Sequence, residues 1–110
     1  CGLKNAACFD IAAACSGYIY ALNIAKSFIE SRTYKKILVI AVDVLSRVTD
    51  WTDRGTCILF GDGAAAAVLA PTLDDNGIIS IYIGSDGAQT NLLQQPPCCI
   101  PPGRRWTRQD

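Results

Sequence analysis

Residues 37–42, ILVIAV, constrain the fold more than any other stretch of this 110-residue chain. The run is aliphatic at every position and rich in β-branched residues. It is too short for a stable helix and has no polar face, so it reads as a buried strand of the kind covered on both faces. Directly before it, residues 16–32 carry Tyr18, Leu22, Ala25 and Ile29 at helical spacing, with Lys26, Glu30 and Arg32 among the polar positions. That pattern predicts an amphipathic helix whose stripe packs into a core. Residues 31–36 form a polar break between the two.

The same alternation runs on along the chain. Residues 7–11 are a short apolar run that suits a buried strand, and residues 43–55 mix charge and turn residues in a loop with some helix. Residues 61–63 read as a turn, residues 64–70 as a small-residue strand ended by Pro71, and residues 78–83 as an alternating strand closed by 84–87. Strands interleaved with helical segments predict a layered α/β domain. After Asn91 the text changes to LLQQPPCCIPPGRRWTRQD, with four of the five prolines and no regular period. Residues 1–91 are therefore taken as the folded part and 92–110 as an irregular Pro/Arg-rich tail. A linker, a binding tail and sequence read out of frame all fit that tail. The last is favoured, so Arg104, Arg105, Trp106 and Arg108 are discounted as a nucleic-acid patch.

Composition excludes several classes. Ten Lys and Arg balance ten Asp and Glu, which gives no electrostatic case for nucleic acid or an anionic membrane. No apolar run has the length of a membrane span. There is no His, so these residues supply no imidazole base and no His metal ligand. Of the six cysteines, Cys8, Cys15 and Cys57 sit in apolar stretches and Cys98 and Cys99 are adjacent in the tail. No zinc-type pairing of spacings occurs, and a reduced, cytoplasmic chain is expected over a disulfide framework. The chain begins at Cys1, without Met or a basic-then-apolar leader, which fits an internal fragment.

Three constellations are candidates for chemistry. Ala12-Ala13-Ala14-Cys15-Ser16-Gly17 lies where the first predicted strand gives way to the helix. A helix N-terminus favours a thiolate and offers unpaired N–H groups to an oxyanion. Small neighbours let a substrate carbonyl approach the backbone, and strand–turn–helix is the arrangement of a nucleophile elbow. The competing reading is an inert Cys buried in an Ala-rich helix start. Asp50-Trp51-Thr52-Asp53-Arg54-Gly55-Thr56 offers Arg54 to a phosphate-bearing ligand, or is a solvated loop whose Asp and Arg pair locally. Phe60-Gly61-Asp62-Gly63 followed by four alanines is a structural turn into a closely packed strand, with Asp62 bonding neighbouring backbone.

Taken together, FDIAAACSGYIYAL (residues 9–22), the stretch from KILVIAVDVLSRVTDWTDRGT to FGDGAAAAVL (residues 36–69) and GIISIYIGSDG (residues 77–87) resemble β-ketoacyl-[acyl-carrier-protein] synthase III. The likeness covers about residues 1–95 and stops in the tail. It implies a thiolase-like layered αβαβα fold, incomplete in this chain, with residues 1–91 as part of the N-terminal half. It implies a two-step Claisen condensation that starts fatty acid chains. Cys15 matches the family nucleophile that takes an acyl group from acyl-coenzyme A, and malonyl-acyl-carrier protein is the second substrate. Arg54 matches the contact to the nucleotide end of coenzyme A, Gly55 lies beside it, and Leu45 and Phe60 match positions lining the acyl channel. No cofactor and no metal are implied, since acyl-coenzyme A is a substrate. A homodimer is implied for the full-length family, in which residues 37–42 are covered on both sides, and exposure of that strand here is an aggregation risk. The family's catalytic His and Asn have no counterpart in these residues, so this fragment is expected not to complete the condensation. Alternatives are another thiolase-like condensing enzyme, of polyketide or hydroxymethylglutaryl synthase type, and a non-catalytic α/β fragment.

Overall fold

A computed structural model describes residues 2–74 and 76–93. A short 3-10 turn, Ala14–Ser16, leads into helix α1, Gly17–Glu30. Strand β1, Ile37–Val44, is followed by a 3-10 turn at Leu45–Arg47, strand β2 at Asp62–Leu69 and a last 3-10 turn at Gly87–Leu92. β1 and β2 are hydrogen-bonded neighbours in a two-stranded sheet. The described residues divide into two compact units, one of residues 2–41 and 65–83, the other of 42–64 and 84–93. Residues 94–110 lie outside the described residues, and with them the reading of the Pro/Arg-rich tail, including Cys98, Cys99, Arg104, Arg105, Trp106 and Arg108.

In the first unit, α1 forms where the periodicity predicts it. Ala25 is buried, and Tyr18, Leu22 and Ile29 of the same stripe are half-buried. Along the edge of that stripe Lys26 and Glu30 make an i,i+4 ion pair, worth about 0.3–0.5 kcal/mol on a helix surface. The helix ends in a Schellman motif. The Thr33 N–H donates to the Phe28 carbonyl at 2.9 Å and the Arg32 N–H to the Ile29 carbonyl at 3.0 Å. Arg32 holds the left-handed position of that motif at φ 60°, where Gly is usual.

A substitution tests that geometry. A non-glycine residue in this region costs about 1–2 kcal/mol, and Gly gives back about 0.5–1 kcal/mol through its looser unfolded state. Arg32→Gly is therefore expected to stabilise the fold by about 0.5–1 kcal/mol, read as a raised midpoint in thermal unfolding. A lowered midpoint would contradict the cap.

Residues 7–11 do not form the expected strand. A strand needs a ladder partner for its N–H and C=O groups, and β1 and β2 pair with each other. An aromatic contact tethers the segment instead. The Phe9 ring meets the Phe28 ring of α1 edge-on, with centroids 6.4 Å apart, and Phe28 meets Tyr34 in the same manner at 5.6 Å. The alternating stretch 78–83 likewise carries no strand among the described residues.

β1 extends two residues past the expected 37–42 run, to Val44. Its odd-numbered side chains up to Ala41 turn inward, with Val39 buried and Ile37 and Ala41 half-buried, and Asp43 is exposed. Its even-numbered face is open, with Leu38, Ile40, Val42 and Val44 all exposed. An unbroken aliphatic run predicts cover on both faces; the described residues provide it on one, leaving the exposure anticipated for this strand.

The expected turn at 61–63 is already strand, since β2 starts at Asp62. Neither Gly61 nor Gly63 takes a positive φ. In the second unit the turn residues lie earlier, in the loop after Val48. At the start of the last 3-10 turn, the Asp86 carboxylate accepts from the Ala88 N–H at 3.0 Å and the Gln89 side-chain amide at 2.7 Å.

Candidate functional site

Cys15 is the central residue of the turn Ala14–Ser16, immediately before α1, and it is exposed. The chain reaches it through a strained residue. Ala14 has φ 46°, a left-handed conformation that a residue with a Cβ adopts only at a cost of about 1–3 kcal/mol. No feature of the sequence marks this residue as strained, because Ala-rich text ordinarily signals helix. The bend is the local feature expected of a nucleophile elbow, although no strand precedes it here.

Backbone donors at the bend can be accounted for one by one. The Ser16 N–H donates to the Ala13 carbonyl at 3.1 Å, and the Gly17 N–H donates to the Ala14 carbonyl. The Cys15 N–H has no acceptor among the described residues. An uncommitted amide on the same residue as the thiol is placed to receive negative charge developing on an oxygen attached to the attacked carbon. Gly17 faces open space at its Cβ position. Cys15 is exposed and so is not the buried sulfur of the competing reading. Cys8 is also exposed and Cys57 is half-buried, although all three lie in apolar stretches of sequence. All three thiols are free.

The second unit holds Leu45, Arg54, Gly55 and Phe60. Leu45 is the half-buried first residue of the turn Leu45–Arg47, and Phe60 is exposed just before β2. Arg54 and Gly55 lie in an exposed loop organised by two carboxylates. The Asp50 carboxylate accepts from the Thr52 hydroxyl at 2.7 Å and the Thr52 N–H at 2.9 Å. The Asp53 carboxylate accepts from the Thr56 hydroxyl at 2.6 Å and the Gly55 N–H at 2.9 Å. Both acids are spent on their neighbours, so the local Asp–Arg pairing does not form. The Arg54 guanidinium has no hydrogen-bond or ion-pair partner among the described residues. A Cβ at Gly55 would come within 3.2 Å of Asp53 Oδ1, so a side chain there would crowd the carboxylate that holds the loop.

Asp62 joins distant parts of the sequence through its side chain. Its Oδ2 accepts from the Ser46 hydroxyl at 2.6 Å and its Oδ1 from the Ser46 N–H at 2.8 Å. The expected backbone bond is present, but its partner lies sixteen residues away rather than beside it. A single sequence carries no signal for that pairing.

These donors set the acid–base behaviour of the loop. The Thr52 hydroxyl, then its N–H, holds the Asp50 carboxyl below its ordinary value of 3.8. The Thr56 hydroxyl and Gly55 N–H do the same for Asp53, and the Ser46 hydroxyl and N–H for Asp62. Folded values below unfolded ones mean that the bonds stabilise the fold above the ordinary carboxylate value. That contribution is lost as pH falls through the folded values. Carboxyl carbon shifts followed by NMR on acidification should give midpoints below 3.8 for all three residues. Midpoints at or above it would contradict the bonding.

Among the described residues no three His, Cys, Asp or Glu side chains come together to hold a metal ion, and no helix is long and apolar enough to cross a membrane.

The chain is similar to known proteins in sequence and in fold. Residues 9–87 match the family model for 3-oxoacyl-[acyl-carrier-protein (ACP)] synthase III. A β-ketoacyl-[acyl-carrier-protein] synthase III of Clostridium acetobutylicum is 54% identical over 95 residues, which are 86% of this chain and 29% of the relative. The Syntrophomonas wolfei protein of the same name is 49% identical over 110 residues, 98% of this chain and 33% of its own. The chain thus spans about a third or less of the length of these relatives. Among solved structures, the 3-oxoacyl-[acyl-carrier-protein] synthase III of Aquifex aeolicus superposes with a TM-score of 0.62 at 56% identity. That match covers 64% of this chain and 23% of that one. The Thermus thermophilus enzyme gives 0.71 at 38% identity, over 76% and 26%. The α/β elements described above are part of the thiolase-like fold of those enzymes. The chain belongs to the 3-oxoacyl-[acyl-carrier-protein] synthase III family.

Proposed function

We propose that this chain carries the acyl-loading half of a β-ketoacyl-[acyl-carrier-protein] synthase III, with Cys15 as the nucleophile. The observation that carries the reading is the bend at Cys15: an exposed sulfur, a strained residue before it and an uncommitted N–H on the same residue. The Cys15 sulfur, as thiolate, attacks the thioester carbon of an acyl-coenzyme A. A new carbon–sulfur bond forms, and the carbonyl oxygen takes up the charge against the Cys15 N–H. The oxyanion collapses, the bond to the coenzyme A sulfur breaks, and coenzyme A leaves as thiolate and takes a proton from solvent. The acyl group stays on Cys15.

Arg54, free of its neighbouring carboxylates, is the anion contact for the nucleotide end of coenzyme A, with Gly55 allowing Asp53 to hold the loop. Leu45 and Phe60 are the channel residues for the acyl chain. In the whole protein the acyl group then meets the carbanion left when malonyl-acyl-carrier protein loses carbon dioxide, and a β-ketoacyl-carrier protein results. No resident cofactor enters this scheme. A cytoplasmic setting, supported by the free thiols, and a homodimer of the whole protein belong to the same reading.

Mixing the 110-residue chain with acetyl-coenzyme A should release free coenzyme A thiol in one stoichiometric burst. Adding malonyl-acyl-carrier protein should give no acetoacetyl product, because these residues contain no imidazole to stabilise the charge of decarboxylation. Absence of the burst would overturn the loading assignment, and sustained acetoacetyl-carrier protein formation would overturn the restriction to loading.

A further inference from the structure

Two of the channel residues are tied to a single carboxylate. Asp62 opens β2, two positions after Phe60, and both of its oxygens are spent on Ser46, the residue next to Leu45. Two short bonds to one residue, one through a backbone N–H and one through a hydroxyl, fix the orientation of the turn Leu45–Arg47 as well as its distance from β2. The carboxylate is ionised, which makes each bond stronger than its neutral equivalent. The Thr49 hydroxyl and the Val48 and Thr49 N–H groups return to the Leu45 carbonyl within the same turn, and the Leu45 backbone N–H also favours the Asp62 carboxylate.

We infer that Asp62 is a positioning residue for acyl-chain selectivity. Through Ser46 it sets where Leu45 stands relative to the strand entered from Phe60, and so which length of straight acyl thioester the channel takes. This rests on the reading above that Leu45 and Phe60 line that channel. Asp62 touches neither substrate nor Cys15 in this scheme, so its signature is a change in preference between substrates. A purely structural contribution would slow every acyl-coenzyme A alike.

The test compares loading of the full chain by acetyl- and hexanoyl-coenzyme A, read by intact mass spectrometry. Asp62→Asn keeps an acceptor for the Ser46 N–H, but its amide NH2 can only donate to the Ser46 oxygen, so the short charged bond from the hydroxyl becomes a weaker neutral one of reversed direction. Ser46→Ala removes the same bond from the other side and is the milder change if Asp62→Asn folds poorly. Each is expected to shift the acetyl-to-hexanoyl ratio by about threefold or more in the same direction, less than the roughly tenfold or greater effect of removing a whole methylene contact in an apolar pocket. The double variant should shift it no further than the single ones, as partners in one bond do. An unchanged ratio in both variants, with Leu45→Ala shifting it, overturns the role of Asp62 and leaves the channel reading standing. An unchanged ratio in Leu45→Ala and Phe60→Ala as well overturns the channel reading and this inference with it. No loading of the unmodified chain by any acyl-coenzyme A overturns both together with the loading assignment.

Discussion

Cys15→Ser is expected to reduce acylation by acetyl-coenzyme A on the order of a thousandfold or more, the scale of loss when a covalent nucleophile is removed. The serine hydroxyl is nearly isosteric, so the bend and the adjacent N–H should survive while the attacking sulfur is gone. Cys8→Ser is the informative companion. Cys8 is also exposed, but it lies in the irregular segment before the bend, and among the described residues its polar contact is a weak 3.9 Å approach to the Ala6 carbonyl. Loss of Cys8 should leave acylation intact. Equal losses from the two substitutions would show that reactivity follows exposure and owes nothing to the bend.

Arg54→Ala carries the second large effect. A hydrogen bond to a charged group is worth about 1.5–3 kcal/mol, and solvent exposure puts Arg54 at the low end, so the rate of loading from acetyl-coenzyme A should fall about tenfold. The comparison substrate is acetyl-pantetheine, which lacks the nucleotide. Its loading should change far less. The ratio between the two substrates therefore isolates the anion contact from any damage to the loop. Raised salt should narrow the same ratio in the unsubstituted chain, as it does for exposed ionic contacts. An equal loss with both substrates would make Arg54 a structural residue of the loop.

Much of this arrangement can be read in the sequence, for reasons that differ by residue. α1 is legible because Tyr18, Leu22, Ala25 and Ile29 repeat with the period of a helix, and the helix forms within two residues of the expected ends. β1 is legible because six aliphatic residues, mostly β-branched, stand between a polar break and Asp43, a run too short for a stable helix. Residues 7–11 and 78–83 have strand composition too, yet a strand exists only beside a partner, and composition does not say where the partner is. The position of Cys15 at a helix start follows from the pattern around it. The left-handed Ala14 does not, because local text full of alanine argues for helix and the bend is imposed against that preference. Arg54 stood between two readings, and the decision lay with Thr52 and Thr56, whose hydroxyls engage the acids that would otherwise pair with it. Asp62 was legible as a backbone hydrogen bonder, but its true partner, Ser46, is set by how β2 returns beside the turn after β1, which is tertiary information.

The most direct test of the account is to map the acyl group. After brief exposure to acetyl-coenzyme A, the chain is digested and each cysteine-containing peptide is examined by mass spectrometry for a hydroxylamine-labile acetyl thioester. The account predicts the acetyl group on the peptide containing Cys15 and none on those containing Cys8 or Cys57. A label spread evenly over the three cysteines, or absent from Cys15, would contradict it.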